Sequence, residues 1–134
     1  MPTSFTLNPF GRVYEVIESW RPRGCKTEKD YERSLVKKLE KELVNQTIIP
    51  QWAFGRQRFD IMVDNKVPIE VKKDLKSTSV LQKTIGQLNQ YLKDQDRVIL
   101  VLCGDTSADL LKDLKKYAES QSALLYQRVY LYKR

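Results

Sequence analysis

Arg58-Phe59-Asp60-Ile61-Met62-Val63-Asp64-Asn65-Lys66-Val67-Pro68-Ile69-Glu70-Val71-Lys72-Lys73 decides how the chain is read. Its apolar residues recur at every second position, the period of a half-buried strand. Phe59, Ile61 and Val63 share one face of a first strand, and Arg58, Asp60 and Met62 share the other. Val67, Ile69 and Val71 share one face of a second strand, with Pro68, Glu70 and Lys72 opposite. Each strand therefore has an apolar face for a core and a face that carries charge.

The loop between the strands fixes which residues meet. Directly opposed residues in a hairpin share a face, so a one-residue slip exchanges the faces of one strand. A two-residue turn at Asp64-Asn65 would set Asp60 against Ile69 and mix charge with the core. A three-residue loop, Asp64-Asn65-Lys66, pairs Val63 with Val67, and so Asp60 with Glu70 and Arg58 with Lys72. The pattern predicts the odd-length loop.

Two adjacent carboxylates raise each other's pKa unless a cation lies between them. A hard divalent ion with oxygen ligands meets that need, and Mg²⁺ commonly takes one or two carboxylates together with substrate phosphate. A lysine beside it can position an attacking water. These parts suit phosphodiester hydrolysis. On the residues alone, a solvated salt-bridge ladder of Arg58, Asp60, Glu70 and Lys72 reads slightly better.

Asp60, a nine-residue gap and then Glu70-Val71-Lys72 resemble the core of the PD-(D/E)xK nuclease superfamily. That superfamily includes many restriction endonucleases, Holliday-junction resolvases and RecB-like nucleases. The resemblance implies Asp60 and Glu70 as metal ligands, the Val71 carbonyl as a third, and Lys72 as the catalytic lysine. Phe59 stands where the motif's often-varied proline would be. Many members carry a further acidic residue on the helix before the first core strand. Glu32 is the best match for it, with Glu28 and Glu40 as rivals. The Gln87-Leu88-Asn89-Gln90-Tyr91 segment resembles the Gln and Tyr found one turn apart on the helix after the lysine strand. This implies a catalytic role for Gln87 and a place in the site for Tyr91.

Composition sets the limits. A chain of 134 residues suits one domain with a single core. No apolar run approaches the length of a membrane span, and residues 1–8 lack the cationic and apolar blocks of a secretory signal. Cys25 and Cys103 form no CxxC pair and read as reduced thiols, which with the start of the chain suggests a cytoplasmic protein. The net charge of +7 suggests a polyanionic partner, most simply nucleic acid. The sequence has no histidine, which excludes His-dependent nucleases, Ser-His hydrolases and His-ligated zinc. Metal chemistry here would fall to carboxylates and carbonyls, which favour Mg²⁺, with Mn²⁺ as a substitute.

Taken in order, Asn8-Pro9 reads as a helix start, with Phe10, Val13, Val16, Ile17 and Trp20 following at helical spacing over residues 9–19. Arg12, Arg21, Arg23 and Lys26 make this region basic, as a nucleic-acid arm, a dimer contact or a solvated connector. Thr27 with Asp30 resembles a capping box for a helix to about residue 44, with Leu35, Val36, Leu39 and Leu43 inward. Residues 47–54 read as a strand, and Gly55-Arg56 turns it into the central hairpin.

Arg56, Arg58, Lys73 and Lys76 flank the presumed site as nucleic-acid contacts. Ser79 with Gln82 predicts the cap of a helix to about residue 93, in which Leu81, Ile85, Leu88 and Leu92 face the core. Residues 97–103 form a continuous apolar run, a strand buried on both faces. A helix capped around 104–107 runs to about 120, with Leu110, Leu111, Leu114 and Tyr117 inward. A last strand over 123–132 carries Tyr126, Tyr130 and Tyr132, which suit base stacking or edge packing.

The expected fold is α/β, in the order α-αβββαβαβ, with a restriction-endonuclease-like core and a mixed sheet of about five strands. The resemblance covers residues 27–103, with 1–26 and 104–134 as additions to a single domain. The function it implies is Mg²⁺-dependent endonucleolytic cleavage of DNA by a homodimer. The alternative is a catalytically inactive nucleic-acid-binding module of the same fold, and a third reading is an interaction protein whose charges form a plain network.

Overall fold

The computed structural model describes residues 9–122 and 127–134. It is α/β, with four helices among the described residues and a five-stranded sheet in the order β1-β2-β3-β4-β5. The sheet is mixed: β1 (Ile48–Phe54), β2 (Gln57–Val63) and β3 (Val67–Lys73) pair antiparallel, whereas β4 (Val98–Cys103) and β5 (Val129–Lys133) pair parallel. The chain divides into two compact units, Met1–Ile69 and Glu70–Arg134, so the boundary falls inside β3.

In the first unit, α1 (Pro9–Ser19) buries Phe10, Val13, Val16 and Ile17, as the helical spacing predicts. Asn8, the expected cap, lies outside the described residues. Trp20 is buried beyond the helix end, and its indole N–H donates to Ser34 Oγ at 3.0 Å. Ser34 belongs to α2 (Glu28–Glu42), so this bond pins the connector to the second helix.

The capping box of α2 is present. Asp30 N–H donates to Thr27 Oγ1 at 3.1 Å, and Asp30 Oδ2 accepts from Thr27 N–H at 3.0 Å. Asp30 also accepts from Lys26 N–H, and these backbone donors, Lys26 first, hold its carboxyl below the usual range. Leu35 and Leu39 face inward. The helix ends two residues earlier than expected, since Leu43 leaves helical geometry and Val44 is 75% exposed.

The β1–β2 hairpin turns at Gly55-Arg56, with Phe54 opposite Gln57. Gly55 has φ +61°, a left-handed conformation that costs glycine little. The β2–β3 hairpin has the odd-length loop. Asp64 and Asn65 both adopt left-handed φ, at 53° and 54°, and Lys66 N–H donates to Val63 O at 3.0 Å. Positive φ at both central residues is the type I′ requirement, and asparagine and aspartate tolerate it. Lys66 is then an extra residue, so Val63 pairs with Val67 and Ile61 with Ile69.

One expectation for these strands needs correction. Their alternation predicts half-buried strands, each with a face that carries charge. Five consecutive residues of β3, Val67 through Val71, are buried, and so is Met62 on the charged side of β2. Alternation in the sequence marks the two faces of a strand but not what covers each of them.

In the second unit, α3 (Thr78–Asp94) starts earlier than predicted. Its cap is Ser77, which accepts from Val80 N–H at 3.2 Å, so Ser79 lies inside the helix. The segment after β3 is clasped to the one after β4. Asp74 N–H donates to Cys103 O at 2.9 Å, and Ser107 N–H donates to Leu75 O at 2.8 Å. Asp74 Oδ1 accepts from Asp105 N–H at 2.9 Å. Gly104 has φ +71°, and a Cβ there would stand 2.4 Å from Asp74 Oδ1.

All six residues of β4 are buried, as its unbroken apolar run predicts. Helix α4 (Ala108–Ser120), capped by Ser107, crosses from β4 to the parallel β5. It buries Leu114 and Ala118, whereas Leu110, Leu111 and Tyr117 are only half-buried. Strand β5 begins at Val129, and residues 123–126, Tyr126 among them, lie outside the described residues. The Arg128 guanidinium donates to Leu92 O at 2.7 Å, Gln95 O at 3.1 Å and Asp96 O at 3.0 Å. It satisfies carbonyls at the end of α3, a task the sequence had not shown. Cys25 and Cys103 are not joined in a disulfide. Among the described residues, no helix is long and apolar enough to cross a membrane.

Candidate active site

The first unit holds Asp60, Glu32, Arg56 and Arg58. Asp60 is half-buried on β2, between the buried Phe59 and Ile61. On the neighbouring strand Pro50 is opposite Ile61 and Trp52 is opposite Phe59, so Gln51 occupies the position across from Asp60. Gln51 has φ 50°, a conformation that L-residues other than asparagine, aspartate and glycine seldom adopt.

The side chain of Gln51 leads to α2. Its Nε2 donates to Oε1 of Glu32, which is only 6% exposed. Glu32 thus sits on the buried side of its helix, three residues before Leu35. A carboxylate there is costly unless hydrogen-bonded. Its rivals differ: Glu28 is exposed in the first turn of α2, and Glu40 is exposed on the outer face. Of the three, Glu32 alone is buried.

Gln51 was not foreseen as a site residue. The signal for it was a lone amide between Pro50 and Trp52 in an otherwise apolar strand. Arg56 and Arg58 are exposed, in the hairpin turn and on the outer part of β2. Near that turn Phe54 is 76% exposed, and its ring stacks on Trp52 with centroids 6.1 Å apart.

The second unit begins at Glu70. Glu70 is 6% exposed and Val71 is fully buried, whereas Lys72 and Lys73 are half-buried. Lys73 is bound to its neighbour, for its Nζ donates to Asp74 Oδ2. With the Asp105 N–H this contact holds the Asp74 carboxyl below the usual range, Lys73 being the larger cause. Lys76 is exposed, with Nζ 3.9 Å from Asp105 Oδ2. Both cations expected to reach nucleic acid therefore have carboxylates of their own unit close by.

Gln87 and Tyr91 lie one turn apart on α3, both half-buried. Gln87 Oε1 is buried and has no hydrogen-bond partner among the described residues. A buried acceptor left unsatisfied costs about 1–3 kcal/mol, and such an atom in a native fold calls for a ligand or a water. Thr84, one turn before, is buried and donates to Val80 O at 2.8 Å.

The donor chemistry suits a hard cation. Glu32, Asp60, Glu70 and the Val71 carbonyl all offer oxygen donors, the type such a cation takes. Among the described residues no three His, Cys, Asp or Glu side chains gather into a cage. Mg²⁺ does not need one, since it keeps waters and borrows substrate phosphate oxygens. No protein-family model, no curated protein and no solved structure matches the chain.

Proposed function

We propose that this protein is a metal-dependent endonuclease that hydrolyses DNA phosphodiester bonds by a PD-(D/E)xK-type mechanism. One observation carries the reading: the three-residue loop sets Ile61 opposite Ile69, and the residues that follow outward on the two strands are Asp60 and Glu70. The proposal continues that register by one pair. The burial of Glu32 and the unsatisfied Gln87 Oε1 support it further, because both belong to the residue set expected from the motif.

Asp60, Glu70 and the Val71 carbonyl would hold Mg²⁺, with Glu32 as a further ligand. Bound there, Mg²⁺ supplies charge neutralisation for the phosphoryl oxygens. Lys72 positions the attacking water and offsets negative charge in the transition state. Gln87 directs its carbonyl oxygen to that water. The water oxygen forms the new P–O bond, its proton passes to solvent, and the leaving sugar oxygen is protonated as its bond to phosphorus breaks. Arg56 and Arg58 contact the DNA backbone, and Tyr91 belongs to the residue set of the site. The proposed working form is a homodimer.

The test is cleavage of supercoiled plasmid, linear duplex, single strand and four-way junction with Mg²⁺, with Mn²⁺ and with EDTA. The Lys72→Ala variant runs alongside. Metal-dependent cutting that disappears in the variant supports the nuclease. Binding without cutting in any lane replaces it with the inactive nucleic-acid module. A single-protomer mass by light scattering removes the homodimer.

A further inference from the structure

We propose a second polyanion site, separate from the hairpin: a groove in the first unit that binds the phosphate backbone of duplex DNA without reading its sequence. The groove runs between the end of α1, the connector after it and the outer face of α2. Its volume is about 620 Å³, and it is lined by Arg21, Arg23, Lys37, Lys38 and Lys41, with Ser19, Trp20 and Ser34. The described residues lining it include no aspartate or glutamate. An adjoining depression shares Arg23, Ser34 and Lys37 and adds Arg33, but Asp30 also lines it, so the uninterrupted basic lining ends there.

The sequence builds this channel by helical periodicity. Glu32, Leu35 and Leu39 face inward on α2. Ser34, Lys37, Lys38 and Lys41 then fall at i, i+3, i+4 and i+7, which is one stripe beside the buried one. Lys37 and Lys41 are separated by about 6 Å along the axis. Two contacts give the groove a fixed wall. Trp20 is held by its bond to Ser34. Arg21 Nη1 donates to Glu18 O at 2.6 Å and to Trp20 O at 2.9 Å, which folds its guanidinium over the end of α1.

Not every cation in the groove is equally available. Lys38 pairs with Glu42 at 2.9 Å. Arg23, Lys37 and Lys41 are exposed, and no ion pair is drawn to them among the described residues. They supply most of the groove's charge outside an ion pair, although Lys41 also acts on the neighbouring Glu42 carboxylate. A nucleic acid fits this surface better than a membrane does. Membrane-surface helices need an exposed apolar face beside their cations. Here the apolar faces of α1 and α2 are buried, and Trp20 is 2% exposed. Cations and hydroxyls without an apolar wedge match phosphate and sugar contacts that carry no base information.

This site stands without the nuclease reading, and its test needs no metal. Affinity for a short fluorescent duplex is measured by anisotropy in EDTA over a series of salt concentrations. The wild type is compared with the Arg23→Ala/Lys37→Ala/Lys41→Ala variant and with a control, Lys112→Ala/Lys115→Ala/Lys116→Ala, that removes as many charges from α4. Circular dichroism checks that each is folded. The groove variant is expected to bind at least about tenfold more weakly, with the slope of log K against log salt reduced by about 2–3, near 0.9 for each lost phosphate contact. The control keeps most of both. Equal losses in the two variants would mean diffuse charge, and an unchanged slope in the groove variant would place the DNA elsewhere. Either result overturns the proposal, as does binding to anionic vesicles with no binding to duplex. Failure to cleave DNA in the separate metal-containing assay leaves this result untouched.

Discussion

Glu32 and Gln51 lie nineteen residues apart and meet as a buried carboxylate and the amide that donates to it. Gln51 holds this position with a left-handed backbone. Two substitutions separate the amide from the strain. Gln51→Ala removes the donor, keeps the unfavourable φ and leaves the carboxylate short of a partner. It should cost about 1–3 kcal/mol in urea unfolding. Gln51→Gly loses the same bond but relaxes the backbone, and should recover about 1 kcal/mol of that loss. Equal stability of the two variants would mean the φ value carries no strain.

If the proposed roles hold, Asp60→Asn and Glu70→Gln should each lower metal-dependent cleavage by at least about a hundredfold, the scale of a lost electrostatic contact in a transition state. Both replacements keep size and polarity, so thermal melts should remain close to that of the wild type. Glu32→Gln tests the same site from the helix. It removes a charge and keeps the shape, so a fall in activity larger than any fall in stability would mark it as part of the site. Full cleavage by the Asp60 or Glu70 variant would remove the nuclease assignment.

Asp74 links stability to pH. Its folded carboxyl titrates below the usual range, chiefly because Lys73 donates to it and then because the Asp105 N–H does. A depressed folded pKa means the stabilisation is present above the unfolded pKa and is lost as pH falls through the folded one. Asp74→Asn should therefore melt below the wild type at neutral pH, and the gap should narrow toward about pH 3, below the ordinary carboxylate range. A gap independent of pH would show that shape, not charge, holds the clasp.

Gly104→Ala attacks the same clasp from the other side. A Cβ would meet Asp74 Oδ1 at 2.4 Å, in a backbone at φ +71° that alanine resists. The two effects should destabilise the fold by about 2 kcal/mol or more. A smaller loss in the Asp74→Ala background would assign part of the cost to the clash, through the coupling of the two sites.

Thr27→Ala removes one half of the α2 capping box and should cost about 1 kcal/mol. Chemical denaturation reads it directly.

What the sequence disclosed follows from how local each signal was. Thr27 and Asp30 lie within one turn, and a capping box depends on little else. The face arithmetic of the hairpin required only that charge and core not share a side. The start of α3 was harder. Ser77 and Ser79 both offer a hydroxyl, and the clasp through Leu75 and Asp74 ends the strand segment early enough for Ser77 to take the cap. Arg128 reaches carbonyls more than thirty residues away, so no local pattern announces it. The kink at Gln51 is equally silent, because Ile48 through Trp52 reads as ordinary strand until Glu32 is brought against it. The burial of Glu70 depends on what covers its strand, which alternation does not encode.

The loop of Asp64, Asn65 and Lys66 behaves as a parity setting. With the turn held at its present length, adding or removing one residue there exchanges inside and outside along the whole of β3, whereas a change of two restores the faces but moves the pairing by two residues. Insertions and deletions at this tip should therefore be tolerated in even steps and rejected in odd ones. The facing of the charged positions, though not their pairing, would then be inherited through a counting rule at the tip of the hairpin.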